Sequence, residues 1–136
     1  MKLLINLDVP DLPAAEAFYT QAFDLQVGRR LFAGEVVELL GGPAPVYLLH
    51  RSAGSPACGA STALRDYQRH WTPLHLDVVV DDLEAALARA LAAGARQEGE
   101  ISEASWGRLV GLSDPFGHGI CLLQWRGRGY DEVVHT

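Results

Sequence analysis

The chain has 136 residues, enough for one hydrophobic core, and 49% of them are hydrophobic. Eleven basic against seventeen acidic residues leave a formal charge of −6, which argues against a nucleic-acid surface and is compatible with a cationic small molecule. No apolar run approaches the roughly 20 residues of a membrane span, and two cysteines are too few for a disulfide framework, so a cytoplasmic protein is expected.

Leu3 to Val9 reads as a strand, with Ile5, Leu7 and Val9 on one face and Leu4, Asn6 and Asp8 on the other. Asp11 is a good N-cap and Pro13 suits a first helical turn, so a helix is expected over 12–23. Strands follow at about 25–32, 34–40 and 45–50, separated by Ala33-Gly34 and Gly41-Gly42-Pro43. Residues 51–73 form a connector, long for plain loop, with room for a short helix or a pocket cover.

The order then repeats. His75 to Val80 reads as a strand. Asp82 caps a helix with a Leu83, Leu87, Leu91 stripe, and Gly94 ends it. Strands are expected at about 96–102, 107–113 and 118–125, the last preceded by the turn Asp114-Pro115-Phe116-Gly117. Residues 126–136 are a polar tail.

The repetition extends to residue type. Leu4-Ile-Asn-Leu-Asp-Val-Pro-Asp-Leu12 is echoed 71 positions on (4 to 75) by His75-Leu-Asp-Val-Val-Val-Asp-Asp-Leu83. Val46-Tyr-Leu-Leu-His50 is echoed 74 positions on (46 to 120) by Ile120-Cys-Leu-Leu-Gln124. The expected fold is α+β: a single domain over 1–136 with two tandem βαβββ units, at about 2–50 and 74–125. In a duplication of this kind each unit covers the other's apolar face.

Three motifs stand in order: Val9-Pro-Asp-Leu-Pro-Ala-Ala-Glu-Ala-Phe-Tyr19, His75 to Leu83, and Asp114-Pro-Phe-Gly-His-Gly-Ile-Cys-Leu122. With the repeat, they make the chain resemble the vicinal oxygen chelate superfamily of glyoxalase I, extradiol dioxygenases, fosfomycin-resistance enzymes and bleomycin-resistance proteins. The resemblance implies a cup-shaped mixed sheet with the helices outside, and a homodimer. It also implies metal-ligand positions at Leu4, Tyr47 (or Leu48), His75 and Cys121. Only His75 is a usual ligand there. A catalytic divalent site needs about three protein donors, so no metal or other cofactor is expected.

A pocket built on this frame would draw on Leu4, Asn6, Tyr47, His75, Asp77, Trp106, Cys121 and Leu123, with Asp8 and Trp125 nearby. His75 is either a ligand contact, an acid/base or a strand histidine bonded to its neighbours. Cys121 is either a nucleophile or a small buried hydrophobe. His118 is expected to tie its turn. Three functions stay open: a receptor for a small organic molecule; a lyase, isomerase or dioxygenase using a metal or His75; and an interaction protein whose cup is filled by side chains.

Overall fold

Asp11 and Asp82 each start a helix in the same way. The Asp11 carboxylate accepts a 3.0 Å hydrogen bond from the Ala14 amide, and Asp82 does the same for Ala85. In the computed structural model, which describes residues 1–135, these caps open α1 (Leu12–Phe23) and α2 (Leu83–Ala93). Asp24 ends α1 in the left-handed region, and Gly94 ends α2 there at φ +117°.

The chain divides into two compact units, Met1–Gln68 and Arg69–Thr136. In the first, β1 (Ile5–Val9), β2 (Gln26–Leu31), β3 (Val36–Leu40) and β4 (Val46–His50) form a sheet in the order β1-β4-β3-β2. In the second, β5 (Leu76–Val79), β6 (Arg96–Glu103), β7 (Gly107–Ser113) and β8 (Gly119–Trp125) repeat it as β5-β8-β7-β6. The first and last strands of each unit pair in parallel and the other pairings are antiparallel. The expected tandem βαβββ units are therefore present. Even the irregularities recur: β2 slips register between Val27 and Arg30, and β6 between Glu98 and Ser102.

Each helix packs on one face of its own sheet. In the first unit Ala15, Phe18, Tyr19 and Ala22 of α1 are buried, as are Val9, Val37, Leu39 and Leu48 of the strands. Leu7, Leu48 and Val37 lie side by side in register, which places Leu48 on the helix face. In the second unit Val110, Leu112, Ile120 and Leu122 form the corresponding row.

The α2 stripe differs from expectation. Leu83, Ala86 and Ala90 are buried, Leu87 is half-buried and Leu91 is exposed. Alanines at the contact bring the helix backbone close to the sheet, and the bulkier Leu91 is turned aside. The strand ends also shift by a residue or two from those read in the sequence.

The connector forms no helix. Residues 52–65 make a small excursion closed by an isolated antiparallel bridge between Pro56 and Leu64. The tail is partly ordered as a 3-10 segment, Gly129–Val133. Among the described residues, no helix is long and apolar enough to cross a membrane.

Candidate functional site

Strand alternation sends Asn6, Asp8, Tyr47, Leu49, Val36 and Glu38 to the face of the first sheet that α1 does not cover. Tyr47 lies in register between Asn6 and Glu38. Of the two alternatives, Tyr47 is on the uncovered face and Leu48 is under the helix.

Glu38 is 4% exposed in the middle of an apolar strand. A carboxylate so placed needs partners. Arg29 supplies a bidentate pair, Nε to Oε1 at 3.0 Å and Nη2 to Oε2 at 2.6 Å, and its backbone amide donates to Oε1 at 3.2 Å. The Tyr47 hydroxyl donates to Oε2 at 2.9 Å. Gly28 makes room for this arrangement, since a Cβ there would lie 2.6 Å from Oε1. The Arg29 bonds first, and the Tyr47 bond second, hold the Glu38 carboxyl down at about 2.

A pH dependence follows. A carboxyl depressed in the folded state stabilises the fold above its unfolded pKa of about 4.3, and that contribution is lost as pH falls towards about 2. Glu38→Gln should therefore melt below wild type at pH 7, with the gap closing between about pH 4.3 and 2. Melting temperatures of both proteins across that range are the check; a gap independent of pH would contradict the charge assignment.

Asp8 is paired as well. Arg65 Nε donates to its Oδ2 at 2.7 Å, while the rest of the guanidinium bonds Ser55 Oγ and the carbonyls of Pro56 and Ala57. One arginine thus fastens the connector excursion to β1. Asn6 is exposed, and Leu4 lies before β1 with 54% of its surface exposed.

In the second unit the corresponding face carries Asp77, Val79, Cys121, Leu123 and Trp125. Asp77 is the register partner of Cys121. Burial, then the Asp77 carboxylate and a hydrogen bond to it, pushes the Cys121 thiol up. That shift favours the protonated thiol over the thiolate.

His75 lies just before β5 with its side chain 63% exposed, Nε2 3.5 Å from Asp77 Oδ1. Arg69 forms a bidentate pair with Glu98 at 2.7 and 3.0 Å. Leu123 is buried. Trp106, in the turn before β7, contacts Trp125 and Tyr130. His118 packs its ring edge-on to His70, and its backbone amide donates to the buried Asp114 carboxylate at 2.9 Å.

The register therefore brings Asn6 to Tyr47 and Asp77 to Cys121, and leaves Leu4 and His75 beyond the strand ends. Sequence reading missed Arg29, Glu38, Arg65, Arg69 and Glu98. Glu38 had a visible signal, a lone acid inside Val-Val-Glu-Leu-Leu; the arginines had none.

Among the described residues, no group of three or more His, Cys, Asp or Glu is gathered to hold a metal ion. The positions where a divalent ion would be held do not fit one. Leu4 has no donor, and the Tyr47 hydroxyl is committed to the Glu38 carboxylate.

A groove of about 570 Å³ in the first unit lies elsewhere, along the outer side of α1 beside Leu12, Glu16, Thr20, Arg30 and His50. It is crossed by the bidentate Arg30–Glu16 pair at 3.0 and 3.1 Å. None of the pocket residues expected from the sequence, Leu4, Asn6, Tyr47, His75, Asp77, Trp106, Cys121 and Leu123, lines it.

The duplicated βαβββ units, on a chain that the glyoxalase-like family model matches, are those of the vicinal oxygen chelate class. The chain belongs to the glyoxalase-like domain family, whose model matches residues 4–123. Its fold is similar to a glyoxalase/bleomycin resistance protein/dioxygenase family enzyme from Burkholderia phytofirmans, at 20% identity over 89% of this chain and 95% of that one, TM-score 0.68. It is similar to the fosfomycin resistance protein FosX from Listeria monocytogenes, at 17% identity over 98% and 95%, TM-score 0.71. It is also similar to a lactoylglutathione lyase from Agrobacterium tumefaciens, at 21% identity over 91% and 92%, TM-score 0.60. No match was found among curated proteins.

Proposed function

We propose that the protein is a glyoxalase/bleomycin-resistance-like receptor that binds a small organic molecule against its uncovered sheet faces, without a resident divalent metal. The observation that carries this reading is the closed Arg29–Glu38–Tyr47 cluster. It takes a position where a metal donor is expected and commits it to an internal hydrogen bond. Each uncovered face keeps apolar wall with a few polar groups, Leu49 with Asn6 in the first unit and Leu123 with Asp77 and the neighbouring His75 in the second, which is the usual make-up of a small-molecule site.

The acidic charge of the chain is a weak guide to the ligand. Asp8, Glu38 and Glu98 are each matched by an arginine, so a preference for a cation rests on Asp77. The reading includes a homodimer and a cytoplasmic location. Exposed Trp71 and Leu74 suit association, and two free thiols suit a reducing compartment.

One observation favours the enzymatic alternative: an imidazole beside a carboxylate, His75 and Asp77, is an arrangement used in general acid–base catalysis. A thermal-shift screen against metabolites and antibiotics identifies the ligand, because whatever binds only the folded state raises its melting temperature. His75→Ala should then weaken that compound's affinity by about fivefold, the net loss of one hydrogen bond. Unchanged affinity removes His75 from the site, and turnover of the compound by wild type but not by His75→Ala establishes the alternative.

A further inference from the structure

The tail of the second unit doubles back on the end of β8. Gly127 and Gly129 both hold positive φ, +53° and +63°, and reverse the chain there. Glu132 accepts from the Arg128 amide at 3.0 Å and from its Nε at 3.2 Å, closing the turn on itself. The reversal lowers Tyr130 onto two indoles. Its ring centroid is 4.6 Å from that of Trp125 with the planes at 75°, and 5.2 Å from that of Trp106 at 44°. The indoles themselves are 6.5 Å apart at 60°.

We propose that Trp106 and Trp125 form a slot for a single aromatic ring, that Tyr130 is its intramolecular occupant, and that a small aryl compound displaces it. Four observations carry this inference. The contacts to Tyr130 are edge-to-face and tilted, the geometries an aromatic ligand would use. Tyr130 is 54% exposed, so its ring is a cover and not core. Arg126 and the buried Gly129 hold the start of the tail against Trp106 and Trp125, but Val133 and Val134 are exposed and the Glu132–Arg128 bonds stay within the tail, so past Gly129 the side chain on the indoles is the Tyr130 ring. The two left-handed glycines make the reversal that sets the ring there, so the ring's placement comes from the turn and not from a packed core.

Trp125 also follows Cys121 and Leu123 on alternate positions of β8, so the slot continues the same sheet face. It does not depend on the receptor reading above. The ligand class is a ring of phenol size with its edge turned to the indoles, and the tail competes with it by being present.

The test uses p-cresol, which is the tyrosine side chain as a free molecule. Titration of the full chain, followed by indole fluorescence, should show Tyr130→Ala binding p-cresol roughly tenfold more tightly than wild type, as expected if the plug is closed about nine-tenths of the time. Tyr130→Phe should behave as wild type. Equal affinity in wild type and Tyr130→Ala, or no binding to folded Tyr130→Ala, overturns the proposal. Wild type supplies a readout that does not depend on how the variant folds. Saturating p-cresol should speed amide hydrogen exchange across 127–135; unchanged or slower exchange there also overturns it.

Discussion

Leu48→Ala is expected to destabilise the protein by about 2–5 kcal/mol, the range for removing a large aliphatic side chain from a closed core. Leu48 is fully buried between α1 and the first sheet, in register with Leu7 and Val37. Leu4→Ala, at an exposed position before β1, should stay within about 0.5 kcal/mol of wild type. Urea unfolding of the two variants reads the difference directly. The result bears on function because Tyr47 and Leu48 are neighbours with opposite faces. A near-neutral Leu48→Ala would mean the strand is flipped by one residue, and the hydrogen-bonded face assigned to Tyr47 would be wrong.

Asp114→Ala should be the other severe change, at about 2–4 kcal/mol. Asp114 is 3% exposed, and its Oδ1 accepts from the amides of Phe116 at 2.8 Å and His118 at 2.9 Å. Its own amide donates to the His118 carbonyl, and Gly117 completes the turn at φ +90°. Alanine would strand two amide donors in a region where Phe116 and Gly117 are buried, at about 1–3 kcal/mol for each unsatisfied group. Asn keeps an acceptor oxygen in place, so Asp114→Asn should lose only about 1 kcal/mol, the charged part of the interaction. Thermal melts that rank Asn as severe as Ala would show that charge, not turn geometry, is what the position supplies.

Elements whose cause is local were legible in the sequence. α1 runs over the residues expected because Asp11, Leu12 and Pro13 encode its first turn. The Asp114 turn likewise follows from four adjacent residues. The duplicated order was legible because each unit spells its own pattern.

Features set by packing were not. Leucine outweighs alanine in a hydrophobic pattern, yet α2 approaches its sheet through Ala86 and Ala90 and leaves Leu91 outside. The facing of Tyr47 depends on register, which a one-residue uncertainty in alignment erases. The charge pairs were hidden by distance along the chain: Arg65 and Asp8 are 57 residues apart, Arg69 and Glu98 are 29 apart. Asp8, which looks in the sequence like an acid waiting for a cationic ligand, already has a guanidinium on it. The tail looks featureless as sequence, and only its fold shows that Gly127 and Gly129 aim Tyr130 at the indoles.

Titrating chelator-stripped protein with zinc, nickel or manganese, and counting bound ions by equilibrium dialysis, tests the central claim most directly. A chain whose donor positions include an aliphatic side chain and a committed phenol should retain well under one ion and show no shift in melting temperature. One tightly held equivalent per chain, released by His75→Ala, would mean that a working coordination sphere exists and that the receptor account is wrong.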